Sequence, residues 1–363
     1  LAKKLSSDAT LFAVTLALLG LGLVMVWSAS SALAHEAHGN AYHFLVRQVL
    51  WACLGLMAMA AAMRIDYRKL RQPGVVYATV IGTTVLLIVV LFTGPVNETH
   101  RWIRAGGLSF QPAELAKLSL ILFLAYHLER RGDRVNEFLP SLFPALLLLG
   151  WFAFLVYIQP DLGTAATLVL VGGVMFFLAG VRIRYFAALL LPGLLLLYQL
   201  IMMAAYRRDR IEAFLNPWSD ARGSGYQIIQ SLIAVGTGGL TGVGLMEGRQ
   251  KLFYLPYPYS DFIFAVIGEE LGLLGAAAVI AAFVLFLWRG VRAGFRAPDL
   301  FGTLLAAGLT AAIVLQALIN VSVVLGLLPT KGIPLPFISA GGSSLFLTLL
   351  SAGLVLNVSQ HAD

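Results

Sequence analysis

The chain predicts an all-α integral membrane protein, a polytopic bundle of about ten transmembrane helices with a long extracytoplasmic loop between spans 7 and 8. Three observations predict it. Of 363 residues, 59% are hydrophobic and only 12% charged, with a mean hydropathy of +0.86, a balance that a single soluble globule could not sustain. Apolar runs long enough to cross ~30 Å of hydrocarbon as helix recur along the whole chain. The lysines and arginines, finally, are shared unevenly between the connections.

The runs lie near residues 10–33, 44–63, 74–93, 112–128, 139–158, 164–180, 183–203, 261–288, 300–327 and 335–358. The first follows Lys3, Lys4 and Asp8 and lacks a small-residue cleavage site, so it reads as an anchor and not as a signal peptide. The 112–128 and 164–180 runs are short and carry polar residues, which implies tilt against their neighbours. One domain is expected, residues 1–363, with its long loop at about 204–260. With the N-terminus placed in the cytoplasm, 14 cations fall in the inside connections, against Arg47, Arg101, Arg104 and Lys331 in the short outside ones. The six outside cations in the long loop belong to a segment too long for the rule to govern. The net charge of +7 therefore records topology and attraction to anionic headgroups, not nucleic-acid binding. Cys53 is the single cysteine, which excludes an intramolecular disulfide and any cysteine-clustered metal site.

Function concentrates in long loops, and two outside connections stand out. The 94–111 connection contains Arg101-Trp102-Ile103-Arg104 and Gly106-Gly107. In the 204–260 loop, residues 223–235 have the apolar spacing of a short amphipathic helix lying in the interface. The stretch Gly236-Thr237-Gly238-Gly239-Leu240-Thr241-Gly242-Val243-Gly244 follows; it is either a connector or a backbone cradle for phosphate beside Arg249 and Lys251. No register gives a dinucleotide or P-loop motif.

Asp261 stands where this polar loop meets an apolar run. Ser260 as N-cap and Asp261 as first-turn acid would bring about 0.3–1 kcal/mol through the helix macrodipole. The other reading is a functional carboxylate, because Asp261, Ala265, Gly268 and Gly272 form a stripe of small residues where a helix or a lipid chain can come close. Within span 4, Gln111-Pro112-Ala113-Glu114-Leu115-Ala116-Lys117 puts Glu114 and Lys117 on one face, as a self-neutralising pair or as an anion site in which Glu114 orients Lys117. Gln159-Pro160-Asp161-Leu162-Gly163-Thr164 reads as a tight turn with an acid at a helix start. The Thr330–Ser344 segment, rich in Gly and Pro, breaks the last span near its outer end. His35, His38 and His43 have metal-like spacing but fit a solvated turn.

Together these motifs resemble the SEDS family (shape, elongation, division and sporulation), polytopic bacterial enzymes that polymerise lipid II. The resemblance covers essentially the whole chain, from Met25-Val26-Trp27-Ser28-Ala29-Ser30 through Arg101-Trp102-Ile103, Gln111 to Lys117 and Gln159 to Thr164, to the Asp261 segment and Gly341-Gly342-Ser343-Ser344. Residues 249–256 and 326–332 look more like the division branch than the elongation branch. Two places depart from the family pattern. The usual Glu-Ala-His-Thr before the aspartate is here Tyr257-Pro258-Tyr259-Ser260, and the usual tyrosine before the paired glycines is Ala340.

The resemblance implies a peptidoglycan glycosyltransferase of the bacterial inner membrane, working at the division septum with its active site outside. Asp261 would be the general base that takes the proton of the acceptor's 4-hydroxyl, with undecaprenyl diphosphate as leaving group. Lys117, Arg101, Arg249, Lys251 and Lys331 would bind the diphosphate, with Glu114, Gln111, Ser343 and Ser344 beside them. The apolar stripe would hold polyprenyl tails. The resemblance leaves room for a divalent cation, Mg2+ or Mn2+, and for no organic cofactor. Implied partners are lipid II and undecaprenyl-linked glycan, membrane lipids, a class B penicillin-binding protein and other division proteins. A lipid II flippase using Glu114 and Lys117 as its path, an elongation-type polymerase and a pure scaffold are the competing functions.

The cation asymmetry predicts both termini inside and Asp220 outside. In a Cys53→Ala background, Asp220→Cys should react with a membrane-impermeant thiol reagent on intact cells and Arg131→Cys should not; the reverse labelling would invert the topology.

Overall fold

The computed structural model describes residues 7–94, 100–105 and 108–361, so Lys3, Lys4 and Gly106-Gly107 lie outside it. All ten expected spans form helices: α1 (Ala9–His38), α2 (His43–Arg64), α3 (Pro73–Val89), α4 (Pro112–Arg131), α5 (Phe143–Ile158), α6 (Leu162–Leu178), α7 (Ile183–Met202), α10 (Ile263–Phe295), α11 (Leu300–Val324) and α12 (Gly342–Gln360). The long loop adds α8 (Ala205–Leu215) and α9 (Tyr226–Thr237), and a hairpin of β1 (Ile103–Ala105) and β2 (Leu108–Phe110) pairs Ile103 with Phe110 in antiparallel register. Eight spans are long and apolar enough to cross a membrane; the others are α4, which carries Glu114, Lys117 and Glu129, and α6, with 17 residues. The chain is an all-α polytopic membrane protein.

Local chemistry sets the helix ends. Asp8 accepts a hydrogen bond from Leu11 N at 2.9 Å and caps α1, which Gly39 closes at φ 66°. Pro73 and Pro112 occupy first helical positions, where a missing N–H costs nothing. Asp161 and Asp299 cap α6 and α11. The last helix begins only at Gly342, seven residues after the expected start at 335, because the Pro- and Gly-rich segment before it is irregular.

The bundle centre is α4, α11 and α12, with the most apolar stretches of α11 and α12 each 72% buried. Helix α2 packs closely on α12: a Cβ at Gly353 would lie 2.7 Å from the Met59 carbonyl oxygen. Helix α7 buries no residue, and its leucines at 189–191 and 194–196 are exposed, as a helix surrounded by lipid requires.

Helix α10 is broken at Gly272 (φ 64°, ψ −165°), a conformation that favours glycine. The glycine-rich stretch docks at this break: Val243 N and Gly244 N donate to the carbonyls of Glu269 and Glu270 (3.0 and 3.1 Å), and Leu273 N and Leu274 N donate to those of Gly239 and Leu240. It is therefore a docked connector; the N–H groups of Val243 and Gly244 that a phosphate cradle would use are spent on the helix. The stripe headed by Asp261 is likewise filled, not open to a lipid tail. Ala265 is fully buried, Gly268 faces Val235 of α9, and Gly272 faces Leu240.

Two glutamates complete the seam. Glu269 accepts from the backbone N–H groups of Arg249 (2.8 Å) and Gln250 (3.2 Å). Glu270 pairs with Lys251 Nζ at 2.6 Å and accepts from Ser28 Oγ of α1 and from Met246 N. Lys251, expected at a diphosphate site, is here paired with a buried carboxylate. Removing one partner of a buried pair costs about 3–5 kcal/mol. Lys251→Met should therefore lower the melting temperature of the purified protein sharply, and adding Glu270→Gln should restore part of it. An unchanged melting temperature in the single variant would refute a stabilising role for the Lys251–Glu270 pair.

Candidate active site

Asp261 is held by its backbone. Helix α10 starts at Ile263 with Phe262 as N-cap and no side-chain capping bond, so neither Ser260 nor Asp261 caps it. Instead, the carbonyls of three successive residues are each held by a donor. Ala340 N reaches Tyr259 O at 2.9 Å, Ser339 Oγ reaches Ser260 O at 2.6 Å, and Asn320 Nδ2 reaches Asp261 O at 2.8 Å. Asn320 Nδ2 also donates to Ile333 O at 2.8 Å, which ties the Asp261 turn to the segment bearing Lys331 and Gly332. A Cβ at Gly332 would lie 2.8 Å from Asp261 Oδ2, so glycine there lets the carboxylate settle against the backbone.

The carboxylate itself is half-buried, and among the described residues no donor lies within hydrogen-bonding distance of it. Burial pushes its pKa up to about 6, against the pull of Arg210, Lys331 and Arg101 and with a push from Asp161. Those groups form a second layer. Lys331 Nζ lies 2.8 Å from Asp161 Oδ1, and Arg101 Nη1 lies 3.9 Å from Asp161 Oδ2. Arg101 also donates to the carbonyls of Gln159 and Pro160, which fixes its guanidinium over the 159–161 turn. Burial disfavours ionised Asp161, but Lys331 and Arg101 outweigh it and hold its carboxyl below the usual range. Burial pushes the Lys331 ammonium down against the pull of Asp161. Arg210 of α8 donates to Thr330 O at 3.2 Å and so joins the Lys331 segment.

Of the expected site residues, the fold brings Arg101 and Lys331 to Asp261 and holds the others elsewhere. Lys117 Nζ lies 2.8 Å from Glu114 Oε2 and also donates to Gln316 Oε1, while Ser344 Oγ donates to Glu114 Oε2 at 3.2 Å. Ser343 Oγ accepts from Gln111 N at 3.1 Å, so both serines and Gln111 join α4 to α12. Gln316 Nε2 in turn donates to Pro334 O, which links this cluster to the Asp261 turn through the backbone. Arg249 is exposed and engaged through its backbone. His38 and His43 stack at 3.9 Å, and the described residues contain no group of three His, Cys, Asp or Glu able to hold a metal ion.

Arg210, Asn320 and Gln316 were missed in the sequence. Arg210 sits with Arg207 and Arg208 in the long loop, whose cations carry no topology signal, and nothing in the sequence separates it from them; Asn320 and Gln316 are isolated polar residues in an apolar helix. A lone buried amide in a span is the signal that could have flagged the last two.

The FtsW/RodA/SpoVE family, described as cell cycle protein, matches residues 9–363. The chain is 45% identical to the probable peptidoglycan glycosyltransferase FtsW of Geobacter sulfurreducens, over 98% of this chain and 95% of that one. It is 44% identical to the stage V sporulation protein E of Bacillus subtilis, over 99% of each. Among solved structures it is similar to a chain of a peptidoglycan synthase complex described as coordinating polymerization and crosslinking (TM-score 0.81, 31% identity, 99% of this chain and 100% of that one). It is also similar to the rod shape determining protein RodA of Thermus thermophilus (TM-score 0.71, 29% identity, 98% and 97%). With a single fold matched from end to end, and the motifs around Asp161, Asp261 and Lys331 gathered in one place, the chain belongs to the FtsW/RodA/SpoVE family of cell cycle proteins.

Proposed function

We propose that this chain is a peptidoglycan glycosyltransferase that polymerises lipid II into glycan strands for septal wall synthesis, with Asp261 as general base. The observation that carries the reading is the Asp261 carboxylate: rigidly mounted, accessible, unpartnered among the described residues and raised to about 6. Near neutral pH such a group is ionised yet basic enough to accept a proton. It takes the proton of the acceptor's 4-hydroxyl, the oxygen bonds to the donor's anomeric carbon, and the bond from that carbon to the diphosphate oxygen breaks. Lys331, Arg101 and Arg210 supply positive charge for the departing diphosphate. Asp161 holds Lys331 and Arg101 in place before substrate arrives.

A Mg2+ or Mn2+ ion fits this site only as a companion of the diphosphate, with Asp261 at most one ligand, since the Asp161 oxygens already face Lys331, Arg101 and Thr164. Such an ion would neutralise charge on the leaving group. Translocation through the bundle finds less support. Glu114 and Lys117 close on each other, and the cavity beside them has a volume of about 30 Å³, room for water but not for a saccharide. The likeness to a peptidoglycan synthase complex supports a class B penicillin-binding protein as its cross-linking partner. Both termini are assigned to the cytoplasm and Asp261 to the outer face of the inner membrane.

Purified with that partner in detergent, where transport has no compartments to register in, the protein should convert lipid II to glycan strands. Asp261→Asn should fold and bind the partner yet lose about 10²-fold or more in rate, because an amide cannot take up the hydroxyl proton. The wild-type rate should climb as pH rises through about 6 and level off above it, since the base works ionised. Wild-type activity in Asp261→Asn would end the general-base assignment; an inert complex whose vesicles translocate lipid II would make the chain a flippase.

The paired geometry of Lys117 predicts a structural role. Lys117→Met should leave Glu114 uncompensated and destabilise the fold by about 3–5 kcal/mol, and the double variant Glu114→Gln, Lys117→Met should recover folding and most polymerisation. A double variant that folds well but stays inert would assign Lys117 to the substrate.

A further inference from the structure

Tyr259 stands two residues before Asp261, where the family resemblance leads to a histidine, and the structure fixes it on two sides. Its ring stacks on Phe44 of α2 with centroids 4.5 Å apart and planes at 27°. Its carbonyl is held by Ala340 N at 2.9 Å, next to the held carbonyls of Ser260 and Asp261. The direction of the phenol is therefore set by both ring and backbone. Its hydroxyl, however, has no hydrogen-bond partner among the described residues and is not sealed from solvent. A half-buried tyrosine ordinarily finds a partner for its O–H; here the ring is clamped and the polar tip is left unspent near the Asp261 carboxylate, which is also unspent among the described residues.

We propose that Tyr259 is a substrate-contacting residue whose hydroxyl donates a hydrogen bond to the acceptor saccharide, and so turns the acceptor's 4-hydroxyl toward Asp261. The inference rests on the glycosyl-transfer reading. The phenol keeps its proton throughout: Asp261 receives the proton of the attacking hydroxyl, and the electron pair of the broken anomeric bond leaves with the diphosphate. Burial, with Tyr257 and Asp261 nearby, raises the Tyr259 pKa above its ordinary value, so the phenol keeps its proton and remains a donor in the neutral range where Asp261 is ionised. Ring stacking leaves the hydroxyl little freedom to turn away, which favours a contact formed without reordering.

The test compares Tyr259→Phe, Tyr259→His and Asp261→Asn, each purified with the transpeptidase partner and assayed for lipid II polymerisation in detergent, with kcat and KM measured separately. Tyr259→Phe removes one oxygen that has no protein partner to lose, so its melting temperature should match the wild type while kcat/KM falls about tenfold. Tyr259→His, a shorter donor, should recover more activity than Tyr259→Phe. A Tyr259→Phe protein with wild-type kcat/KM overturns the proposal, and so does a loss that tracks a lowered melting temperature or that Tyr259→His leaves unrelieved. If Asp261→Asn is inert while Tyr259→Phe is fully active, only the Tyr259 contact falls. If Asp261→Asn is active, the general-base reading falls first.

Discussion

A carboxylate with no hydrogen-bond partner, set among protein atoms, costs free energy that its surroundings must offset. Asp261 is such a group, and much of the outer half of the bundle is arranged around holding it. The hydrogen bonds spent on it go to the carbonyls of residues 259 to 261, not to its side chain. Position is fixed while the oxygens stay available. Asn320 uses both N–H bonds of one amide for this, on Asp261 O and Ile333 O, and its own Oδ1 is left buried without a partner. That residual cost, together with the raised pKa, is what a site poised for proton transfer would retain.

Charge is arranged in the same spirit. Asp161 is buried and engages Lys331 and Arg101, so the cations near Asp261 are partly neutralised. Were they free, their combined field would draw the Asp261 pKa down and weaken it as a base. Burial and Asp161 act in the opposite direction, and the balance comes out near 6. On the proposed glycosyl-transfer reading, an incoming diphosphate competes with Asp161 for the same two cations as negative charge on the leaving group grows.

The Gly272 break sets the geometry one step further out. Interrupting α10 frees carbonyls and N–H groups, and residues 239–244 satisfy them by docking on the break. Glu269 and Glu270 then grip residues 246–251, which lead within ten positions into Asp261. The loop is long, but its path is bound at both ends of this stretch to the helix that follows Asp261, so the site inherits the rigidity of α10.

Membrane class and the positions of the ten spans were legible in the sequence, because hydropathy, helix period and cation bias are sums over neighbouring residues. The departures at Tyr257-Pro258-Tyr259-Ser260 were legible too, as a pattern without a geometry. The partners were not. Lys251 and Lys331 look alike in the chain, one basic residue in a polar loop each, yet one meets Glu270 and the other Asp161, 170 positions away. Arg210 looks no different in the chain from Arg207 and Arg208, and Asn320 looks like a stray amide. Which of these groups face Asp261 depends on contacts between elements far apart in sequence, such as the 59 positions separating Asn320 from Asp261. Such contacts follow from how helices with similar apolar faces choose their neighbours, and only the packed tertiary structure decides that.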